Sequence, residues 1–446
     1  MKDLNSSQWL KSGVYSIGSR LSVLLFGFGS FYFLVRSLSK SDFGAWSVFL
    51  TVTTIVEMSR NGLIQNALIK LLHSHDKESE NKIVTASWVI NIIYSLLVFT
   101  LLVAFSGLAA QVLGMEPLKL MFVYFGISIA LLIPISQFNY LQQAKFSFDG
   151  IFWTALSRQG SFFLIVLFIY ILKVPVSLPS LVLIQAGCTF VGLLVAYYTS
   201  RKYANYRFDW DNRITLKAIN FGKFVMGTNL TSLLFKSVDQ FSIGYFLGAP
   251  SVALYSSAIR LSNMIEYPAT SIAEVVYPYS TAKIQTNGEQ VTKTIYEKSV
   301  GLTLLITIPI VAGTFVFSDL IIYLIAGEAY AQSSEILKIT ILFGLLTPFN
   351  RQFGLAMDSS NRPHLNFSLL VFALFLNIIS NIIFIHFMGL IGAAFGTLFS
   401  YIIISIIGHY ILVKYFGVSL RGIWFFMLYY LKQWLSFIKG KLRNVS

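Results

Sequence analysis

Runs of roughly 20 or more mostly apolar residues, the length that spans ~30 Å of hydrocarbon, recur along the whole chain. They fall at 12–35, 45–69, 83–106, 117–140, 151–172, 178–200, 217–247, 252–280, 295–317, 334–357, 364–387 and 390–413. The pattern predicts an all-α polytopic membrane protein of about twelve transmembrane helices. Beyond the last run, Trp424, Met427, Leu428, Leu431, Leu435 and Ile438 recur at helical spacing, with Arg421, Lys432 and Lys439 elsewhere on the turn. That spacing predicts an amphipathic helix lying in the membrane interface, not a thirteenth span.

Composition agrees. The 446 residues are 56% hydrophobic and only 12% charged, too apolar for an ordinary soluble surface. Lys and Arg gather in every second gap, for example Lys70, Lys77 and Lys82, then Arg201, Lys202, Arg207, Arg213 and Lys217. Short cytoplasmic loops hold such an excess, so both termini are expected in the cytoplasm of a bacterial inner membrane protein. The net charge of +14 is then mostly topogenic and gives no reason to expect nucleic-acid binding. The first apolar run is too long for a signal-peptide core and has no small-x-small site after it, so it is expected to remain as helix 1. Cys188, the single cysteine, excludes an internal disulfide and most thiolate metal sites.

Function classes narrow in the same way. No gap is large enough for a soluble catalytic domain, so no catalytic residue and no enzyme activity is expected. Asp209-Trp210-Asp211 has the D-x-D form that holds a metal–sugar-nucleotide in glycosyltransferases, but no nucleotide-binding fold surrounds it. His73 and His75 lack further ligands for a metal.

A small residue two positions before an aromatic opens helix 2 (Gly44, Trp46) and helix 8 (Ala253, Tyr255). Equivalent placement in two halves suits two six-helix bundles related by a parallel pseudo-repeat. The expected domains are 1–208, 209–416 and an amphipathic tail at 417–446.

The candidate chemistry is charge at membrane depth. An ionisable side chain at a helix centre costs roughly 2.5–3.5 kcal/mol even on lenient scales. Such groups concentrate in helices 1, 2, 7 and 8: Arg20; Glu57 and Arg60; Lys236 and Asp239; Arg260, Glu266 and Glu274. Asn229, Ser232, Lys236 and Asp239 share one face of helix 7, and Arg260, Asn263, Tyr267, Ser271 and Glu274 one face of helix 8, with Glu266 on another side. Helices 3, 6, 9, 11 and 12 are nearly free of interior charge. Two explanations compete: local pairing of Lys236 with Asp239 and of Glu57 with Arg60, with Arg20 snorkelling to the surface, or a net-basic polar cavity between the halves, extended by Arg158 and Arg351.

The run Asp239-Gln240-Phe241-Ser242-Ile243-Gly244-Tyr245-Phe246-Leu247-Gly248, with Ala253-Leu254-Tyr255 and Pro268 after it, resembles the polysaccharide-transporter (Wzx-type flippase) family of the multidrug/oligosaccharidyl-lipid/polysaccharide exporter superfamily. So do Ser318-Asp319-Leu320-Ile321, Gly327-Glu328-Ala329-Tyr330, Asn377-Ile378-Ile379-Ser380-Asn381 and the first loop at Val35-Arg36 and Asp42-Phe43-Gly44. Ala253 departs from the glycine common in that family. The resemblance implies alternating access and carriage of an undecaprenyl-pyrophosphate-linked oligosaccharide from the inner to the outer leaflet, beside glycan polymerase and glycosyltransferases of the same pathway. Buried cations suit a pyrophosphate, which makes Arg20, Arg60, Arg158, Lys236 and Arg260 the substrate-binding candidates. Glu57, Asp239, Glu266 and Glu274 are candidates for setting the cavity potential or exchanging Na+ or H+; no other cofactor is expected. The alternative is a cation-coupled multidrug exporter of the MATE type, which needs a net-acidic cavity.

Overall fold

Each of the twelve apolar runs falls on helix in the computed structural model, which describes residues 6–74, 79–203 and 207–443. The first six are single helices: α1 (Ser6–Ser37), α2 (Lys40–Ser74), α3 (Glu80–Leu113), α4 (Pro117–Ala144), α5 (Phe148–Leu172) and α6 (Leu178–Ser200). Their ends follow local chemistry. Gly114 closes α3 with φ 62°, its N–H turned back to the carbonyls of Ala110 and Gln111, a conformation that glycine adopts without a Cβ penalty. Ser177 caps α6 through the Ser180 N–H, ahead of a first-turn proline, where the missing N–H has no partner to lose. Helices α2 and α3 outrun their apolar stretches because the chain stays helical past the length that lipid requires.

The second half is more broken than its hydropathy suggests. α7 (Asn212–Leu247) is continuous, but the run expected at 252–280 is α8 (Ala249–Ser262), a single 3-10 turn at Asn263–Ile265, and α9 (Glu266–Asn287). α10 (Val291–Val316) and the short α11 (Ser318–Ala326) follow; the run at 334–357 divides into α12 (Ser333–Thr340) and α13 (Phe343–Ser359). α14 (Pro363–Phe416) holds the last two runs, separated at Gly389, where φ is 60° and ψ −137°. α15 (Leu420–Arg443) is the C-terminal amphipathic helix.

Among the described residues, seven helices are long and apolar enough to cross a membrane by length and composition: α1, α3, α4, α5, α6, α10 and α14. Large apolar side chains stay exposed on them, among them Leu25, Phe168, Phe375 and Phe387, as lipid-facing surfaces must. The protein is an all-α, multi-pass membrane protein.

By its contacts the chain divides into two units, Met1–Leu233 with Gly248–Ala253, and Leu234–Leu247 with Leu254–Ser446. The first is built on α1 against α5, α4 against α3 and α6, and α2 against α3 and α4. Its aromatic core centres on Trp46, fully buried and stacked 5.3 Å from Phe49 and 6.3 Å from Phe162. A second cluster joins Ile64 and Leu68 of α2 to Tyr140 and Leu141 of α4 and to Ile214 and Ala218 of α7. Here α7 approaches α2 so closely that a Cβ on Gly222 would meet the Leu63 carbonyl oxygen at 1.9 Å.

In the second unit α10 packs on α9, α13 and α15, and α13 on α14. α15 has two apolar faces. Ile423 and Met427 pack into a core with Val300, Phe353 and Leu412, whereas Trp424, Leu428 and Leu435 of the expected stripe are exposed; Ile438 lies outside the described side chains. The buried Glu297 carboxylate of α10 accepts the Ser419 N–H at 2.8 Å, just ahead of α15.

Candidate functional site

Two polar clusters lie inside otherwise apolar helices, one in each unit. In the first, Glu57 of α2 pairs with Arg158 of α5, Nη2 to Oε2 at 3.7 Å. The pair lines a small pocket with Thr53, Ser128, Gln185 and Thr189. Of the two explanations for this charge, local pairing of Glu57 with Arg60 does not form. Arg60 is buried at 4% exposure, and its Nε meets no acceptor among the described residues. Around it, Tyr140 donates to Asn61 Oδ1 at 2.6 Å and Tyr94 to the Val56 carbonyl at 3.0 Å. Arg20 is exposed on α1.

In the second unit local i,i+3 pairing fails as well. Lys236 and Asp239 are i,i+3 on α7 but face different neighbours. Lys236 pairs with Glu266, although uninterrupted helical phase puts Glu266 on another side. The 3-10 turn at Asn263–Ile265 resets that phase, so Glu266 opens α9.

Asp239 turns inward and is 2% exposed. Its carboxylate accepts from Tyr255 Oη, Thr397 Oγ1 and, at 3.0 Å, Asn381 Nδ2. Asn377 closes the ring: its Oδ1 accepts from Asn381 Nδ2 at 2.8 Å and lies 3.0 Å from Thr397 Oγ1, whose one proton goes to Asp239, while its own amide donates to the Phe235 carbonyl at 2.9 Å. Among the described residues Asp239 has no basic partner, and Asn381 Oδ1 is buried with no hydrogen-bond donor.

One carboxylate, two amide carbonyls and a hydroxyl make a hard-oxygen donor set with a single negative charge. Such a set fits a small monovalent cation or a proton, and the orphaned Asn381 oxygen is an acceptor that a cation would satisfy. Among the described residues no three His, Cys, Asp or Glu side chains converge as a metal site.

Of the remaining candidates, Arg260 is half-buried in the last turn of α8, and Arg351 is exposed on α13. The side chain of Glu274 lies outside the described residues, as does His75. His73 hydrogen-bonds the Ile69 carbonyl at 2.7 Å in its own helix. The D-x-D is a helix cap. Asp211 Oδ1 accepts the N–H groups of Arg213 at 2.8 Å and Ile214 at 3.2 Å at the start of α7, and the Asp209 N–H donates to Thr85 Oγ1. These backbone donors, Ile214 foremost, hold the Asp211 carboxyl below the usual carboxylate range.

Asn377, Asn381 and Thr397 were not among the candidates drawn from charge. The signal was available: two amides at i,i+4 share one face of a helix that is otherwise apolar.

Residues 33–335 match the family described as polysaccharide biosynthesis protein. The chain is 25% identical over 193 residues to the probable low-salt glycan biosynthesis flippase Agl15 of Haloferax volcanii, covering 43% of this chain and 41% of that one. Against an uncharacterized membrane protein of Methanocaldococcus jannaschii, MJ1068, it is 25% identical over 48% of this chain and 43% of the relative. The chain thus spans less than half the length of these two relatives. It is 22% identical to the lipopolysaccharide biosynthesis protein WzxC of Escherichia coli K12 over 93% of this chain and 82% of that one. In fold it is similar to an inward-facing multidrug resistance MATE family transporter of the MOP superfamily, with TM-score 0.76, 15% identity and coverage of 87% and 92%. It is equally similar to the lipid II flippase MurJ in an inward closed conformation, with TM-score 0.75, 16% identity and coverage of 93% and 90%.

Proposed function

The chain belongs to the polysaccharide biosynthesis protein family, and from that premise we propose that it is a flippase for a lipid-linked oligosaccharide. It carries an undecaprenyl-pyrophosphate-linked glycan from the inner to the outer leaflet of a bacterial inner membrane by alternating access, with both termini in the cytoplasm. Glycosyltransferases would supply the substrate and a polymerase would consume it.

Arg60 is the observation that carries this reading. A guanidinium is always charged, and this one is buried with an unused Nε donor. Buried donors are nearly always satisfied, so the arrangement favours an anion with several acceptor oxygens. A pyrophosphate headgroup supplies them. Arg20, Arg158, Lys236 and Arg260 are the other cations assigned to the headgroup; Arg158 and Lys236 are each held by a carboxylate, Glu57 and Glu266, that they would exchange for phosphate. Asp239, with Asn377, Asn381 and Thr397, is assigned to a coupling Na+ or H+.

Depletion of the protein in its own cells tests the reading. Lipid-linked oligosaccharide should accumulate with its sugar facing the cytoplasm, and Arg60→Ala should behave like depletion at normal membrane levels. Unchanged precursor pools together with reduced efflux of a cationic dye would favour a drug exporter instead.

A further inference from the structure

Three helices of the second unit are interrupted around one buried apolar cluster, Ile265, Val311 and Ile341. We propose that the interruptions form a single hinge, on which the segment of α8 that carries Tyr255 swings toward and away from Asp239. The gating role rests on the assignment of Asp239 to a coupling ion; the hinge itself does not.

Each interruption has a local cause. Between α8 and α9 the chain makes the 3-10 turn at Asn263–Ile265, and the Glu266 N–H that follows reaches back to the Asn263 carbonyl. Between α12 and α13 the N–H groups of Leu342, Gly344 and Leu345 donate to the carbonyls of Ile339, Ile341 and Leu342, at 3.1, 3.0 and 3.0 Å. In α10, Pro309 has no N–H for the Leu305 carbonyl, and its ring crowds that oxygen. Helices bend at mid-helix 3-10 turns and at prolines. Gly344 brings the three breaks together: a Cβ there would meet Ile265 Cγ2 at 2.5 Å and Val311 Cγ2 at 3.2 Å.

The parts on either side hold together separately. On one side Ser257 donates to Ser333 Oγ at 2.9 Å, and Ser262 and Thr340 share a hydrogen bond of 2.6 Å; both pairs are buried and tie α8 to α12. On the other, α9 packs on α10 and α13, and Tyr296, Val300, Phe353 and Met357 belong to one core. Residues Leu234–Leu247 of α7 are continuous helix, and α14 leaves helical geometry at Gly389. Asp239, Asn377, Asn381 and Thr397 all stand on those two helices, so the hinged segment supplies the Tyr255 hydroxyl alone to this hydrogen-bond ring. Tyr255 lies eight residues before the 3-10 turn, about 12 Å along the helix. A bend of about 20° moves it about 4 Å, further than a hydrogen bond stretches. Bending therefore uncovers the carboxylate to an ion while its other donors stay in place.

The test is spin-label distances in the purified full-length protein in lipid vesicles, on a Cys188→Ala background. Labels at Gln332, ahead of α12, and Phe387, on α14, are both exposed and should give two distances about 4 Å apart. Tyr255→Phe removes the hydroxyl that holds α8 to Asp239 and should raise the share of the longer distance about tenfold, the scale of one hydrogen bond to a charged group. Pro309→Ala restores the missing backbone bond in α10 and should leave one distance. A second pair, at the exposed Gln290 and His364 away from the hinge, should keep one distance throughout. A single Gln332–Phe387 distance that Tyr255→Phe leaves in place would overturn the proposal. So would two distances unchanged by Pro309→Ala, or a Gln290–His364 distance that broadens in step with the first pair, which is general loosening and not a hinge. All four labels lie in the second unit, so rigid rocking of whole units leaves both distances single. The hinge can thus fail while the transport assignment stands, and a protein that moves no glycan would still show the two distances.

Discussion

Asp239 of α7 accepts a hydrogen bond of 3.0 Å from the amide of Asn381, a residue 142 positions later in the first half of α14. Effective penalties for burying an unpaired ion run to several kcal/mol. Three neutral donors offset part of that cost, which leaves a carboxylate that gains from a cation or a proton.

The first prediction follows. Asp239→Asn should abolish the response of transport to sodium or to pH, whichever ion couples, and Thr397→Val should weaken it by about tenfold, the scale of one hydrogen bond to a charged group. Transport measured against sodium at fixed pH, and against pH at fixed sodium, distinguishes the ions. Full activity and an unaltered response in Asp239→Asn would remove this site from the cycle.

The pairing of Lys236 makes a second prediction. In a thermal-unfolding double-mutant cycle, Lys236→Met and Glu266→Leu should couple, by up to about 1 kcal/mol for a pair this exposed. Lys236→Met and Asp239→Leu should be additive, because Asp239 faces α14 and not Lys236. Coupling in the second cycle but not the first would reverse the pairing described here.

How much of this was legible in the sequence depends on the interaction. The run 178–200 coincides with α6 because a serine cap and a first-turn proline mark its start. The break between α8 and α9 was marked too, by Pro268 at the third position of α9, where proline is tolerated in a first turn; an unbroken apolar run hid it. Phase carried through Asn263–Ile265 takes no account of the 3-10 turn there, so it could not pair Glu266 with Lys236. The Glu57–Arg158 and Asp239–Asn381 contacts depend on tertiary packing, which i,i+3 reasoning cannot reach. Searching for charge also passed over amides, although Asn377 and Asn381 supply the neutral oxygens that a buried carboxylate needs around it.

Gly222 and Gly227 offer a contrast on one helix. A Cβ at Gly222 meets the Leu63 backbone at 1.9 Å, whereas one at Gly227 meets nothing within 4 Å. Gly222→Ala should destabilise by about 1–3 kcal/mol, the usual cost of overpacking, while Gly227→Ala should be neutral or stabilising by up to ~1 kcal/mol through helix propensity. Unfolding midpoints in detergent compare the two, and equal shifts would deny the close approach of α7 to α2.

Acid should fray the start of α7. The carboxyl of Asp211 titrates lower in the folded protein than unfolded, because the Ile214 and Arg213 N–H groups bind its charged form. Its capping contribution is therefore complete above the unfolded value of about 3.9 and is lost as pH falls through the folded one. Hydrogen exchange at Arg213–Thr215 should accelerate beyond the intrinsic rate below that point, and Asp211→Ala should show the acceleration at neutral pH. Exchange indifferent to both changes would leave Asp211 without a capping role.

Reconstitution tests the central claim most directly. Vesicles containing the purified protein and an undecaprenyl-pyrophosphate-linked oligosaccharide, with an ion gradient imposed, can be challenged with an impermeant glycosidase that reaches the outer leaflet alone. The account predicts that glycan protected in the inner leaflet becomes cleavable over time, with Arg60→Ala and Asp239→Asn no faster than protein-free vesicles. Cleavage at the protein-free rate by the wild-type protein, in vesicles that do transport a cationic drug, would contradict it.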